Sequence, residues 1–429
     1  MRMLSTRGSA PAVSISEAIA AGLAPDGGLY MPETLPTFAP ADFDADATLA
    51  QVAHRLLGAF FAGDVLEKEL GAICDTAFAI EPPLRPFGDE GDYILELFHG
   101  PTAAFKDYGA GFLAASLAAL PRGDKPLTIV VATSGDTGAA VGAAFHRKPG
   151  VRVAILYPDG RVSPRQAHQL GCFGDNVRAF RVAGSFDDCQ RLAKTLLSDA
   201  AFKQDVPLGS ANSISLGRLL PQACYYAHAS LLHWRATGRA LNFVVPTGNL
   251  GNALACFLAK RMGLPIGALV LANNANDALA QFFDGADYAP RASIATLANA
   301  MDVGAPNNFE RLQWLEPDAA RLRAALTARS VDDDDIRATI IDAFQRHGEI
   351  VCPHTACAVR VLQRLRARGG DGDWAVVSTA HPAKFPEVVE PLIGCEVPLP
   401  PALAAMLDRP SSAEALADDA DALRERLRG

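Results

Sequence analysis

LNFVVPTGNLGNALACFLAK, residues 241–260, decides the fold class. The first six residues, apolar and valine-rich, are too few for a helix and read as a strand buried on both faces. Thr247-Gly248-Asn249-Leu250-Gly251-Asn252 then turns tightly, and the alanine-rich stretch after it reads as a helix. Two glycines let backbone N–H groups approach a ligand closely. The first turn of the helix adds unpaired donors and a partial positive charge. Such a junction suits an anion, most naturally a phosphate; an ordinary strand–helix turn is the alternative. In the absence of GxGxxG, a dinucleotide reading is weak.

The same order recurs outward along the chain. YILELF (93–98) precedes FKDYGAGFLAASLAAL, LTIVVA (127–132) precedes TGAAVGAAF, and VRAFRVAG (177–184) precedes SFDDCQRLAKTLL. VRVAILYP (151–158), GALVLANN (267–274) and WAVVSTA (374–380) are further strands. Alternation of this kind predicts an α/β chain whose mostly parallel sheet is covered by helices on both faces. Residues 1–88 read differently, as loops followed by the amphipathic TLAQVAHRLLGAFFAGDV and closed by Pro82, Pro83 and Pro86. They predict a small helical N-terminal unit. The run DDDD (332–335) reads as a solvated helix start, and the alanine-rich tail after residue 400 as a docked terminal helix.

With 429 residues, 49% of them apolar, the chain has enough material for two or three domains, and disorder is excluded. Its 48 acidic against 39 basic side chains leave a net charge of −9, which argues against nucleic acid or an anionic membrane as the main partner. No apolar run approaches the roughly 20 residues that cross a bilayer. The eight cysteines form no CxxC pair and are expected as buried, reduced thiols of a cytoplasmic protein. Glu17 interrupts the only apolar stretch of the basic N-terminus, so that segment is read as part of the fold and not as a targeting peptide.

GxSxG, P-loop and HExxH motifs are absent, and the nine histidines lack metal-ligand spacing, so no metal is expected. Two further junctions stand out. In VVATSGDTGAAVG, Thr133, Ser134, Asp136 and Thr137 surround Gly135 and Gly138 at a helix start, offering hydroxyls and amides to an anion or merely capping the helix. In ELFHGPTAAFKDYGAGF, Lys106 follows Pro101 and lies about one turn into an apolar helix. Helix N-terminus and partial burial both disfavour its ammonium form, as a Schiff-base lysine requires; a snorkelling or charge-paired lysine is an equal alternative. Among the other seven lysines, Lys194 reads as an exposed helix position. Lys384 (HPAKFP) is the runner-up, better read as a charge-pairing lysine.

Taken together, the segments resemble the threonine synthase family, pyridoxal-phosphate enzymes of the tryptophan-synthase-β-like fold type II. The resemblance runs through LSTRG (4–8), GLAPDGGLYMP (22–32), LFHGPTAAFKD (97–107), ATSGDTGAAV (132–141) and SANSISLGR (210–218). It continues through PTGNLGN (246–252), NAMDVGAPNNFER (299–311), CPHTA (352–356) and STAHPAKFPE (378–387). It implies two mostly parallel sheets flanked by helices, with an N-terminal threonine-synthase domain (1–88), a large cofactor domain (89–132 and 239–400), a small mobile domain (133–238) and a helical tail (401–429). Lys106 would carry pyridoxal 5'-phosphate in Schiff-base linkage. Gly248, Asn249, Leu250, Gly251 and Asn252 would hold its phosphate, and Thr379 its pyridine nitrogen. Thr133, Ser134 and Thr137 match positions that bind the substrate's carboxylate and phosphate; Asn212, Ser213 and Arg218 match the phosphate-gripping set, where the forked guanidinium is apt.

Two positions depart from the family pattern. Asp136 stands where many relatives have Asn against the cofactor's 3-hydroxyl, which leaves its contact and protonation state open. Ser215 replaces an Asn, leaving one substrate contact shorter or water-mediated. The expected activity is conversion of O-phospho-L-homoserine and water to L-threonine and phosphate, the last step of threonine biosynthesis, by a cytoplasmic monomer or homodimer. A phospho-lyase releasing 2-oxobutyrate, a serine/threonine dehydratase and a non-catalytic binding protein on the same scaffold are the competing readings.

Overall fold

The computed structural model describes residues 1–121 and 125–428. Six strands form one sheet in the order Thr327–Ser330, Ile266–Asn273, Leu241–Pro246, Asp373–Ser378, Asp92–Glu96 and Leu84–Pro86. All pair in parallel except the antiparallel edge between Leu84–Pro86 and Asp92–Glu96. A second sheet of five parallel strands runs Glu414–Leu416, Val177–Val182, Val151–Pro158, Leu127–Ala132 and Leu208–Ser210.

Alternation along each central strand sends side chains to both faces, and both faces are covered. Phe243 and Val245 point into the main core with Ala375, Val377 and Leu95, while Val244, Val376 and Ile94 enter a separate cluster beneath the helix Pro353–Arg366. The five-stranded sheet behaves alike: Ile129 and Val131 join the main core, and Val130 and Ala132 pack against the helix Phe186–Ser198. The main core therefore lies between the two sheets. It includes residues of the helices Lys106–Ala119 and Asp136–Phe145, which pack against each other.

The N-terminal residues form the helices Ile15–Ala21, Leu49–Phe61 and Leu70–Ala77, with Thr48 and Ser14 as N-caps in capping boxes. Leu70–Ala77 packs on Lys106–Ala119, which ties this unit to the helix carrying the candidate lysine. LSTRG meets the segment before residue 311: Thr6 Oγ1 donates to Glu310 at 2.5 Å, and Arg7 pairs with the same carboxylate at 3.3 Å.

Sheet membership divides the chain differently from the expected boundaries. Leu127–Ala132, assigned above to the large unit, pairs with Val151–Pro158. The tail is two helices, Pro401–Leu407 and Ala420–Arg428, around a strand that extends the five-stranded sheet beside Val177–Val182. An unpaired edge draws in even three residues when their backbone donors have no other partner. The DDDD run does start a helix, Asp333–His347, with Asp332 as its cap. Asp335, however, is paired with Arg360 and Arg364 instead of being merely solvated.

Candidate active site

Parallel strands bring the turns at their carboxyl ends to one side. One cavity opens there, between the sheets, lined by Lys106, Thr133, Ser134, Asp136, Thr137, Asn212, Ser213, Arg218, residues 248–252 and Thr379. Every site residue expected from the sequence except Ser215 reaches it.

Lys106 is the first residue of its helix, not a full turn in. Ala103 is left-handed (φ +55°), and the Phe105 N–H donates to Thr379 O at 2.9 Å, which keeps the preceding residues out of the helix and ties the lysine to the end of the strand Asp373–Ser378. Its Nζ lies 3.7 Å from Asp136 Oδ2 and 4.7 Å from the Phe105 ring centre. Burial lowers its pKa from the ordinary lysine value. Asp136 opposes that shift, and Lys384 and Arg218 reinforce it.

The loop after Leu241–Pro246 is shaped for an anion. Leu250 is left-handed (φ +64°) ahead of the helix Gly251–Arg261. The N–H groups of Gly248, Asn249 and Leu250 make no hydrogen bond among the described residues. A Cβ on Gly248 would fall 2.7 Å from both Cα and O of Met301, so only glycine brings the loop this close. Side chains hold the loop from behind: Asn249 Nδ2 donates to Ser213 Oγ at 2.6 Å, Asn308 Nδ2 donates to Asn249 O at 2.9 Å, and the Tyr225 hydroxyl donates to Asn252 Oδ1 at 2.6 Å. Asn252 Nδ2 is buried without a partner among the described residues. A phosphate dianion fits this set of free amides at a helix start.

The neighbouring turns differ in what they leave free. Thr133 Oγ1 accepts from Gly135 N and Gly138 N, both at 3.0 Å, so it shapes the turn. The Ser134 and Thr137 hydroxyls have no partner among the described residues and face the cavity half-buried. The Asn212 amide is occupied: its Nδ2 donates to Ala132 O at 2.6 Å, and its Oδ1 accepts from Ala132 N at 3.2 Å. This pairing fixes the end of the strand Leu127–Ala132 and leaves Ser213 and Arg218 as the freer members of the expected phosphate set. Arg218 is buried. Its Nη1 donates to Ala211 O at 2.6 Å, and its Nε has no partner among the described residues. Burial pulls its pKa down to about 10, and it has no carboxylate ion pair among the described residues. Such a cation fits an anionic ligand. Ser215 is fully buried and is not among the cavity-lining residues, so its expected shortened substrate contact has no counterpart here.

Four neighbours complete the site: Lys384 and Lys194 are the charge-pairing and the exposed helix lysine expected of them, though their place beside the cavity was not foreseen, and Gln166 and His354 were not singled out. Lys384 is completely buried, with Nζ 2.8 Å from Asp136 Oδ1 and 2.8 Å from Thr102 O. Gln166 Nε2 donates to the same Asp136 oxygen at 3.1 Å. His354 accepts from Ala300 N through Nε2, and burial pushes its pKa down to about 4, so the imidazole is neutral. Lys194 lines the cavity mouth, with Nζ 3.4 Å from Asn307 Oδ1. Burial alone would raise the Asp136 carboxyl, but Lys384 and Lys106 outweigh it and hold the group ionised, well below the usual carboxylate range. Of these contacts, only the Gln166 cap pattern was visible locally, as Ser163-Pro164 three residues before it.

Family models match nearly end to end: the threonine synthase N terminus over residues 2–78, the pyridoxal-phosphate dependent enzymes over 92–381, and the threonine synthase C-terminal region over 355–426. The chain is 38% identical to threonine synthase of Haemophilus influenzae, over 95% of this chain and 94% of that protein. The crystal structure of pyridoxal-phosphate-bound threonine synthase from Brucella melitensis superposes with a TM-score of 0.90 at 36% identity, covering 100% of this chain and 99% of that one. For the Escherichia coli threonine synthase structure the TM-score is 0.89, at 37% identity and with the same coverage. With a lysine at a helix start, a loop of free amides opposite it and relatives matching across the whole length, the chain belongs to the threonine synthase family of pyridoxal-phosphate-dependent enzymes.

Proposed function

We propose that the protein converts O-phospho-L-homoserine and water to L-threonine and phosphate, breaking the γ-carbon–oxygen bond to phosphate and forming a carbon–oxygen bond at the β-carbon. The observation that carries this reading is the juxtaposition in one cavity of a depressed lysine, an amide-lined anion loop and a buried arginine without an anionic partner among the described residues. Residues 248–252 would hold the cofactor phosphate, with Thr379 beside the ring nitrogen, and Arg218, Ser213, Ser134 and Thr137 would hold the substrate's charged ends. Pyridoxal phosphate, when bound, supplies the conjugated ring that delocalises the electrons released at the substrate carbon.

The protein's own part is proton handling and positioning. Lys106 Nζ takes the proton from the α-carbon, a role that positioned bases perform with about 10²–10⁴-fold effect. Thr379 is neutral, so it orients the ring without forcing a proton onto it. Arg218 keeps the leaving phosphate in place by its forked donors. The five-stranded sheet with its helices acts as the moving cover, and the Lys194–Asn307 contact at the mouth is one point where it meets the larger sheet's side.

Incubating the purified protein with O-phosphohomoserine, and following threonine, 2-oxobutyrate and phosphate together, tests the assignment. Equal release of threonine and phosphate is expected. Release of 2-oxobutyrate with phosphate would instead mark a phospho-lyase. A Gly248→Ala variant tests the loop: its new methyl must displace the Met301 backbone. Cofactor affinity, followed by absorbance titration, should fall about tenfold or more, equivalent to roughly 1.4 kcal/mol, while circular dichroism stays native.

A further inference from the structure

Two lysines share one carboxylate in this cavity, and they are not equivalent. Lys384 Nζ lies 2.8 Å from Asp136 Oδ1, whereas Lys106 Nζ lies 3.7 Å from Oδ2. The Lys384 side chain is 0% exposed and that of Lys106 15%, so only the latter reaches the open part of the site. Lys384 is held on two sides, by Asp136 and by Thr102 O. Gln166 braces the same Asp136 oxygen, and it is itself fixed by Asn299 Nδ2 donating to its Oε1 at 3.1 Å. Lys384 ends the turn Pro382–Lys384 just beyond Thr379, while Asp136 begins the helix after the strand Leu127–Ala132, so the pair bridges the two sheets.

We propose that Lys384 is a positioning residue for Lys106: it takes up the charge of Asp136 and holds that carboxylate to its own side, leaving the Lys106 amine free to give up its proton. The inference deepens the reading of Lys106 as the reactive amine and rests on it. An unshared carboxylate at this distance would favour the ammonium and hold the base protonated, by about one to three pKa units for a close pair. With Lys384 in place the buried couple is nearly neutral toward its neighbours. The other groups around it do not substitute. His354 is neutral, Arg218 repels the Lys106 ammonium, and Asp107 is bound by Thr102 N and Oγ1 at 2.9 and 2.6 Å. Burial keeps the Cys352 thiol protonated and His381 neutral.

The test is competitive acetylation of the full-length, cofactor-free protein across pH, with Lys106 modification read by mass spectrometry. Lys384→Met should raise the midpoint for Lys106 by about one unit or more, so labelling at a fixed pH below it drops about tenfold. Lys384→Arg should stay near the parent. The charge-balanced double variant Asp136→Asn/Lys384→Met should return to within about half a unit of the parent. In the holoenzyme, the acid limb of kcat should move to higher pH in Lys384→Met and return in the double variant. An unchanged Lys106 midpoint in Lys384→Met would overturn the proposal. So would a fall of a unit or more in the double variant, because Asp136 would then have been acting on Lys106 unshielded. If Lys384→Met does not fold, the double variant, with no unpaired buried charge, decides alone. Absence of threonine from the parent enzyme would sink the reaction assignment, while the labelling would still report the coupling.

Discussion

Lys106→Ala is expected to lose both turnover and the near-visible absorbance of the lysine-bound cofactor. The amine is the site's base, so at least the 10²–10⁴-fold typical of positioned proton transfer goes with it, and the covalent anchor goes as well. The helix start and the cavity remain, since Phe105 N–H to Thr379 O is a backbone bond. Phosphate held at residues 248–252 should therefore keep cofactor binding measurable by dialysis although the absorbance is gone. Borohydride reduction of the parent, followed by peptide mapping, should place the label on Lys106. Lys384 is a poor competitor because its Nζ is already engaged by Asp136 and Thr102 O and is sealed from the cavity. A label on Lys384, or full turnover in Lys106→Ala, would refute this assignment.

Arg218→Met should separate function from stability. In the free protein the guanidinium is buried with, among the described residues, one carbonyl partner and a bare Nε, an arrangement that costs stability until an anion arrives. Methionine fills comparable volume without that cost, so the melting temperature of the ligand-free variant should rise. Losing a buried, hydrogen-bonded charge contact is worth about 2–5 kcal/mol, which translates to a fall in kcat/KM for O-phosphohomoserine of about 30- to 5,000-fold. Arg218→Lys should rescue little, because a point charge replaces a fork. A lower melting temperature together with an unaltered kcat/KM would mean that the residue is structural.

The two positions were legible for different reasons: Lys106 at a strand-to-helix junction, Arg218 only through the family resemblance of SANSISLGR (210–218). Strand-to-helix junctions announce themselves locally: a short valine-rich run, a turn with glycine, then an alanine-rich helix. Leu127–Ala132, Val151–Pro158 and Leu241–Pro246 have the bounds expected of them. The three- and four-residue strands at the sheet edges were not legible, since Leu208–Ser210 or Glu414–Leu416 carries no period of its own and is a strand only because a neighbour offers backbone partners.

Local pattern thus determined the α/β class, a mostly parallel sheet, the anion-suited loop at 248–252 and the candidate lysine at 106, while the division into two sheets came from the family resemblance. Tertiary structure alone decided how the side chains divide the work. Asn212 is spent on the Ala132 backbone, Ser215 turns away into the core, Lys194 comes round to the cavity mouth, and Lys384 meets Asp136 across the two sheets. Periodicity reports which face of an element is buried. Which distant charge shares that burial is set by how the sheets dock, because the cost of an unpaired ion in the interior is met only where the chain brings a partner within a few ångströms.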